Sequence, residues 1–496
     1  MRKRIQVVRR DVDASFQKSA APFDAMRGST NEFARMQIVD TTARGRLAKS
    51  CYAERLAEAV ARRERRDVER ATSNLDGIRF RTSMLLLHFI QKNPRWLGAG
   101  VLLTCSSSFG QTYFIALSAG HLQSTFNLTH GSWGTIYTLG TLMSAAALVN
   151  VGRLADRLRV RSLALITIAA FVVMCLAMAS VTHWVMLILV VFGLRFCGQG
   201  MMSHLALTAM GRWFRGNRGR AVAVASLGFS LGEGLLPLCF VLLSGVVGWR
   251  LSWVSAALVL ALVVAPLVAY LLKTERSPQS MNEAEHTVGL GQRHWTRAEA
   301  MRHWFFWALI PGFLAPSFIT TSLFFHQVHL AEVKQWPLAL YVATYPIYSA
   351  FSVVANFMAG AAIDRYGAAR LLPLYLLPIA AAMVLFGTAE SFWVGPLALI
   401  MVGVTQGSSQ ALLGSIWPEY FGTRNLGAIR AFAVAAMVFS TAVGPGLTGL
   451  LIDVGIGLET QCLWMGGYVV IVSAFFVAVS RAAHTERYQT VSKPTD

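Results

Sequence analysis

Two ionisable side chains stand deep inside apolar runs of this 496-residue sequence, Arg195 and Glu233. Arg195 lies twelve residues past His183, at the start of its run, which is about 18 Å at helical rise. Glu233 lies thirteen residues past Arg220, at the opposite end of the next run, so the two reach a similar depth. A guanidinium surrounded by hydrocarbon needs a polar cavity or a partner. A carboxylate there resists ionisation, and a nearby positive charge reverses that tendency. Residues of these two types at matching depth could pair, or could hold and release a proton. His326 is a third candidate for proton traffic, because imidazole titrates near neutral pH.

Other chemistry is absent from the spacing. No Walker A sequence offers a phosphate cradle. No Ser/His/Asp order and no metal-ligand spacing stands out; His326 and His329 are i,i+3 neighbours without a third ligand. The six cysteines are scattered, with no CxxC pair. The expectation is no enzyme, no cofactor and no metal. Polar groups do recur within the apolar runs, and Gln111, Tyr113, Gln199, Gln327, Tyr345, Gln406 and Gln410 are the candidates for binding a solute.

The elements that carry these residues follow from composition. The chain is 55% hydrophobic and 14% charged, with mean hydropathy +0.50, far too apolar for a soluble domain. Apolar runs near 96–119, 132–152, 162–182, 184–210, 220–246, 250–273, 304–330, 337–361, 371–389, 393–416, 426–452 and 461–481 are each long enough to cross a hydrocarbon core as a helix. None alternates polar and apolar residues as a β-barrel strand would. The fold class is an all-α membrane protein with twelve transmembrane helices in two pseudo-symmetric six-helix halves.

Net charge of +19 invites a nucleic-acid reading, but residues 1–95 alone hold 21 basic and 11 acidic side chains. The charge belongs to a tail and to short loops, and no nucleic-acid partner is expected. Twenty Lys and Arg side chains fall in the tail after the last run and the connections on its side, whereas the opposite connections hold only Arg250 and Lys334. That asymmetry places both termini in the cytoplasm. The expected organisation is a basic, largely disordered tail over 1–90, a six-helix half over 91–273, a cytoplasmic central loop over 274–302, a second half over 303–483 and a short tail over 484–496. No apolar run adjoins the N-terminus, so no signal peptide is expected.

The halves echo each other. GRLADRLRVR from Gly152 recurs as GAAIDRYGAAR from Gly360, Gln199-Gly200 recurs as Gln406-Gly407, and Pro237 recurs as Pro445, all at offsets of 207 or 208. A constant offset indicates a duplicated unit, and repeated halves around a central site are common in secondary transporters.

Gly152-x-Leu-Ala-Asp156-Arg157 resembles the loop signature of the major facilitator superfamily, and Gly360-Ala-Ala-Ile-Asp364-Arg365-Tyr-Gly367 resembles its second-half echo. The first copy departs from it with Arg159 in place of a glycine. Arg195-x-x-x-Gln199-Gly200 is similar to the family's fourth-helix motif, and Gly228 to Pro237 and Gly444-Pro445-Gly446-x-x-Gly449 resemble its Gly/Pro-rich fifth-helix motif. The texture of SSFGQTYFIALSAG and WPEYFGTRNLGAIRA resembles the bacterial branch around monocarboxylate and oxalate/formate carriers. The resemblance implies a secondary active transporter working by alternating access, acting as a monomer in the bacterial inner membrane. Its partners would be the lipid bilayer, a small-molecule substrate and protons as coupling ions. Gly152, Asp156, Arg157, Gly360, Asp364, Arg365 and Gly367 would form the gates, and Arg195, Glu233 and His326 the coupling group. A small organic anion such as a monocarboxylate is the favoured solute. A drug or metabolite efflux carrier is the alternative within transport; a membrane receptor or membrane-embedded enzyme is the alternative outside it.

Overall fold

The computed structural model describes residues 88–152, 158–214, 217–274, 289–290 and 293–492. The 1–90 tail therefore falls almost wholly outside the described residues, as do Asp156 and Arg157 of the first loop signature. The helices belong to one compact unit that begins at Ile90.

Ten of the twelve expected spans are helices long and apolar enough to cross a membrane: His130–Val151, Val160–Ala179, Trp184–Trp213, Arg218–Val247, Trp249–Leu271, Trp304–Phe325, Leu338–Tyr366, Val394–Phe421, Leu426–Asp453 and Leu458–Ala483. The other two are interrupted. The ninth is a short turn, Ala368–Leu371, followed by Leu377–Thr388. The first runs as a helix over Pro94–Ser106, tightens to a 3₁₀ turn over Ser107–Gly110, becomes extended at Gln111, and resumes in short pieces to Phe126. The sequence explains the break. Ser107 donates its hydroxyl to the Thr104 carbonyl at 2.6 Å, and serines that bond their own backbone compete with the helix ladder.

That irregular first span is wedged between the fourth and fifth. On one side Gly110 lies against Leu194 and Gly198, where a Cβ on either glycine would overlap the opposing backbone. On the other side Gly228 and Gly232 leave room for Thr104 and Ser108, and Thr104 donates to the Ala225 carbonyl at 2.6 Å. The fourth span accommodates the wedge with a π-helical turn over Phe196–Met202, a widened geometry frequent at functional sites.

The helix ends bearing the Arg-rich connections define a basic face, and the opposite ends define a far face. Four hydrogen bonds that join the halves lie in the seam from the middle of the helices to the far face. The second and eleventh spans touch where Gly134 meets Pro445 and Gly446, and where Gly449 meets the His130 backbone. Asp453 accepts from the Gly131 amide at 2.9 Å, and Thr138 donates to the Ala442 carbonyl at 2.7 Å. The fifth and eighth meet where Ser349 donates to the Ser230 carbonyl at 2.8 Å and Gly234 faces Pro346. Small residues at these crossings let helix backbones approach closely, which is the work of the Gly/Pro motifs noted above.

Candidate functional site

Below this closed seam the two halves enclose a cavity of about 190 Å³. The extended backbone at Gln111 turns that side chain and Tyr113 into it, and the widened turn of the fourth span presents Gln199. Glu233 of the fifth span and Tyr348 of the eighth complete a polar corner, the carboxyl facing the tyrosine hydroxyl. Gln406 and Gln410 of the tenth span line the opposite wall. They stand one helical turn apart, so they share a face. Gln410 stands nearer the basic face and is exposed. Six of the residues singled out in the sequence, Gln111, Tyr113, Gln199, Glu233, Gln406 and Gln410, thus surround one space.

Gln327 and Tyr345 are placed elsewhere. Both are fully buried in the far-face seam. Gln327 donates its amide to the Tyr113 carbonyl at 2.7 Å and accepts from the Tyr345 hydroxyl. Their hydrogen-bonding capacity is taken up by the protein itself, so they close the roof of the cavity.

Arg195 does not pair with Glu233: no ion pair joins them, and the reason is the wedged first span. Arg195 is 3% exposed, donates to Thr112 Oγ1 at 3.2 Å and stacks over the Tyr137 ring at 5.3 Å from its centroid. Thr112 and Tyr137 share a hydrogen bond of 2.6 Å, so the guanidinium belongs to a polar knot between the first, second and fourth spans. It does not line the cavity. A buried charge held by a hydroxyl and a ring face is a structural solution to the cost of carrying Arg at that depth.

His326 ends the seventh span, buried at 3% exposure, with Nε2 3.1 Å from the Pro445 carbonyl. A carbonyl only accepts, so Nε2 carries a proton. His130 and His329 join it, their rings 4.1 Å apart, and His130 lies 6.1 Å from His326. Among the described residues no group of three or more His, Cys, Asp or Glu side chains has the geometry to hold a metal ion.

The gate residues divide. Gly152 ends the second span, where its carbonyl accepts from His204 at 3.2 Å. Gly360 faces open space, with nothing within 4 Å of the position a Cβ would take. Asp364 and Arg365 are exposed, the guanidinium lying over Tyr366, and Asp364 makes no ion pair with a described residue. Gly367 ends the eighth span at φ 82°, a conformation that glycine adopts freely. The carboxylate that engages this loop is Glu419, which accepts from the Ala368 amide at 3.0 Å. Sequence reasoning missed Glu419, as it missed Thr112, Tyr137 and Asp453.

The family model described as Major Facilitator Superfamily matches residues 100–389. The oxalate:formate antiporter of Oxalobacter formigenes is 23% identical over 393 residues, 78% of this chain and 90% of that one. Among solved structures, a bacterial homolog to the human lysosomal transporter Spinster, inward-facing and unoccupied, superposes with a TM-score of 0.61 at 16% identity, over 80% of this chain and 98% of that one. The nucleoside transporter NupG superposes with a TM-score of 0.59 at 15% identity, over 78% and 98%. Both likenesses show a common fold.

Proposed function

This chain belongs to the Major Facilitator Superfamily and is an integral membrane transporter of small solutes by alternating access, and from that premise we propose how its residues divide the work. The carrying observation is one polar cavity walled by both halves beneath a seam that is closed on the far face. The excess of Arg on the basic face argues that this face is cytoplasmic, in a bacterial inner membrane. On that reading the structure is shut to the outside and admits solute from the cytoplasm past Gln410. The solute moves intact, with no covalent chemistry, and a monomer suffices because one chain supplies every wall of the cavity.

Glu233 is the proposed proton site. Among the described residues it is the one carboxyl group lining the cavity, and rocking of the halves would change its contact with Tyr348 and its access to water. Unequal proton affinity in the two states is what coupling requires. Arg195 supports this indirectly, by fixing Thr112 next to Gln111. The organic anion favoured from sequence follows the resemblance to monocarboxylate and oxalate/formate carriers, and the 23%-identical relative is an oxalate:formate antiporter. Against it, the cavity wall offers no cationic side chain.

Uptake into proteoliposomes tests the reading, with carboxylates, amines, nucleosides and amphiphilic drugs presented with and without a pH gradient. Facilitated movement of at least one solute is expected, with gradient-driven accumulation lost in Glu233→Gln. No movement above protein-free vesicles across the panel would overturn the reading.

A further inference from the structure

The lining of the cavity also bears on the class of solute, an inference that rests on the transport reading above. Among the lining side chains Glu233 is the single acid; the rest are amides, hydroxyls, aromatic rings and aliphatic groups, with no Lys, Arg or His. The Arg195 guanidinium is buried behind the first span and engaged by Thr112 and Tyr137. An anion in this space finds an acid and no positive charge on the wall, whereas a cation can take the ionised acid as its counter-ion.

Two further features point the same way. Gln199 Oε1 is buried at the cavity wall with no hydrogen-bond donor, and an amide oxygen can only accept. It therefore calls for a ligand that brings an N–H or O–H. The Phe324 ring, 5.4 Å from Tyr348 and 6.2 Å from Tyr113, gathers three aromatic rings around the corner that holds Glu233. Ring faces attract cations, most strongly where water is excluded.

We propose that the cavity binds small protonated organic amines. Glu233 is the counter-ion, Gln199 Oε1 accepts an ammonium N–H, and Phe324, Tyr113 and Tyr348 wall the apolar part of the molecule. A single carboxylate that takes either an ammonium ion or a proton makes the two competitors for one place, which is the arrangement an amine/proton exchanger requires.

Three probes of one shape and different charge test this: phenethylamine, 2-phenylethanol and phenylacetate. Equilibrium binding to the purified full-length chain in detergent at neutral pH reads the class, and counterflow in proteoliposomes reads transport. Phenethylamine should bind at least tenfold more tightly than either analogue. Glu233→Gln should remove at least tenfold of that affinity while leaving the unliganded melting temperature near wild type, and Phe324→Leu should weaken it several-fold. Loss of amine binding in Phe324→Leu supports the site if Glu233→Gln does not fold. Equal or tighter binding of phenylacetate, no binding of the amine, or undiminished binding in Glu233→Gln overturns the proposal. Amine binding without counterflow keeps the site and counts against the transport reading. Counterflow of phenylacetate without amine binding does the reverse.

Discussion

Gln327 donates its side-chain amide to the backbone carbonyl of Tyr113 at 2.7 Å, tying the short helix Gln327–Val333 that follows the seventh span to the broken first span across the two halves. The bond exists because the first span is interrupted: a carbonyl in an unbroken helix would be bonded to its own chain four residues on. The Tyr345 hydroxyl satisfies the other end of the amide. The contact seals the cavity roof, so its strength should bias the equilibrium between closed and open far faces.

Gln327→Leu removes both hydrogen bonds while keeping most of the volume. Interhelical hydrogen bonds in membranes are worth about 0.6 to 2 kcal/mol, so loss of roughly 1 kcal/mol should raise the open-to-closed ratio about fivefold. Spin labels at Ser132 and Val454, on the far ends of the second and eleventh spans, should show a new longer distance in the variant. An unchanged distance distribution would remove Gln327 from the gate.

Arg195 is predicted to act on stability before it acts on transport. Its guanidinium, Thr112 Oγ1 and the Tyr137 hydroxyl form one buried network, and bonds to charged groups contribute about 1.5 to 3 kcal/mol. Arg195→Ala should lower the melting temperature clearly, and Thr112→Val less so. The double variant should lose less than the sum, since neighbours in one network couple. Additive losses would mean the hydrogen bond carries no stability.

How much of this was legible beforehand differs by residue. The spans, their repeat and the cavity glutamines could be read because apolar runs and polar interruptions are local signals. Gln199 and Gln406 came from a repeat offset, and the structure places both on the cavity wall. The Arg195–Glu233 pairing was inferred from depth alone. Depth along a helix says nothing of what lies between two helices, and here the first span lies between them. Gln327 and Tyr345 look in sequence like any other cavity residues, since only the partner across the seam decides whether a polar group is free. Glu419 gave a weaker signal: a carboxylate near the end of the tenth span, 51 positions from the amide it caps.

Glu419 is the residue expected to govern the second-half loop. Its carboxylate satisfies the Ala368 amide immediately after Gly367 turns the chain, and loss of such a cap costs about 1 kcal/mol. Glu419→Ala should slow transport more than Asp364→Asn, because Asp364 is exposed. Glu419→Gln, which keeps an acceptor oxygen, should be intermediate. Initial rates of uptake, normalised to inserted protein, order the three variants. A larger effect of Asp364→Asn would return the gate to that aspartate.

The two loop and seam glycines Gly360 and Gly134 should respond in opposite ways to the same added methyl group. Gly360 stands in the eighth span with nothing within 4 Å of the position a Cβ would take. There Gly360→Ala changes only helix propensity, which favours alanine by about 1 kcal/mol, so melting temperature should rise slightly and transport should hold. Gly134 stands in the second span, where a Cβ would come within 2.5 Å of the Pro445 carbonyl oxygen and 2.9 Å of the Gly446 Cα. Those atoms are backbone of the eleventh span and cannot swing aside, so the helices must separate for the methyl group to fit. Separation at this crossing opens the far face, because the Asp453 bond to Gly131 and the Thr138 bond to Ala442 flank it. Gly134→Ala should therefore raise labelling, from the far side, of a cysteine placed at Thr138, which faces Gly446 in the seam, and should slow turnover by disfavouring the closed state. The gain in helix propensity acts equally in both states and cannot offset this bias. Wild-type labelling and wild-type turnover in Gly134→Ala would mean that the crossing of the second and eleventh spans does not set the gate.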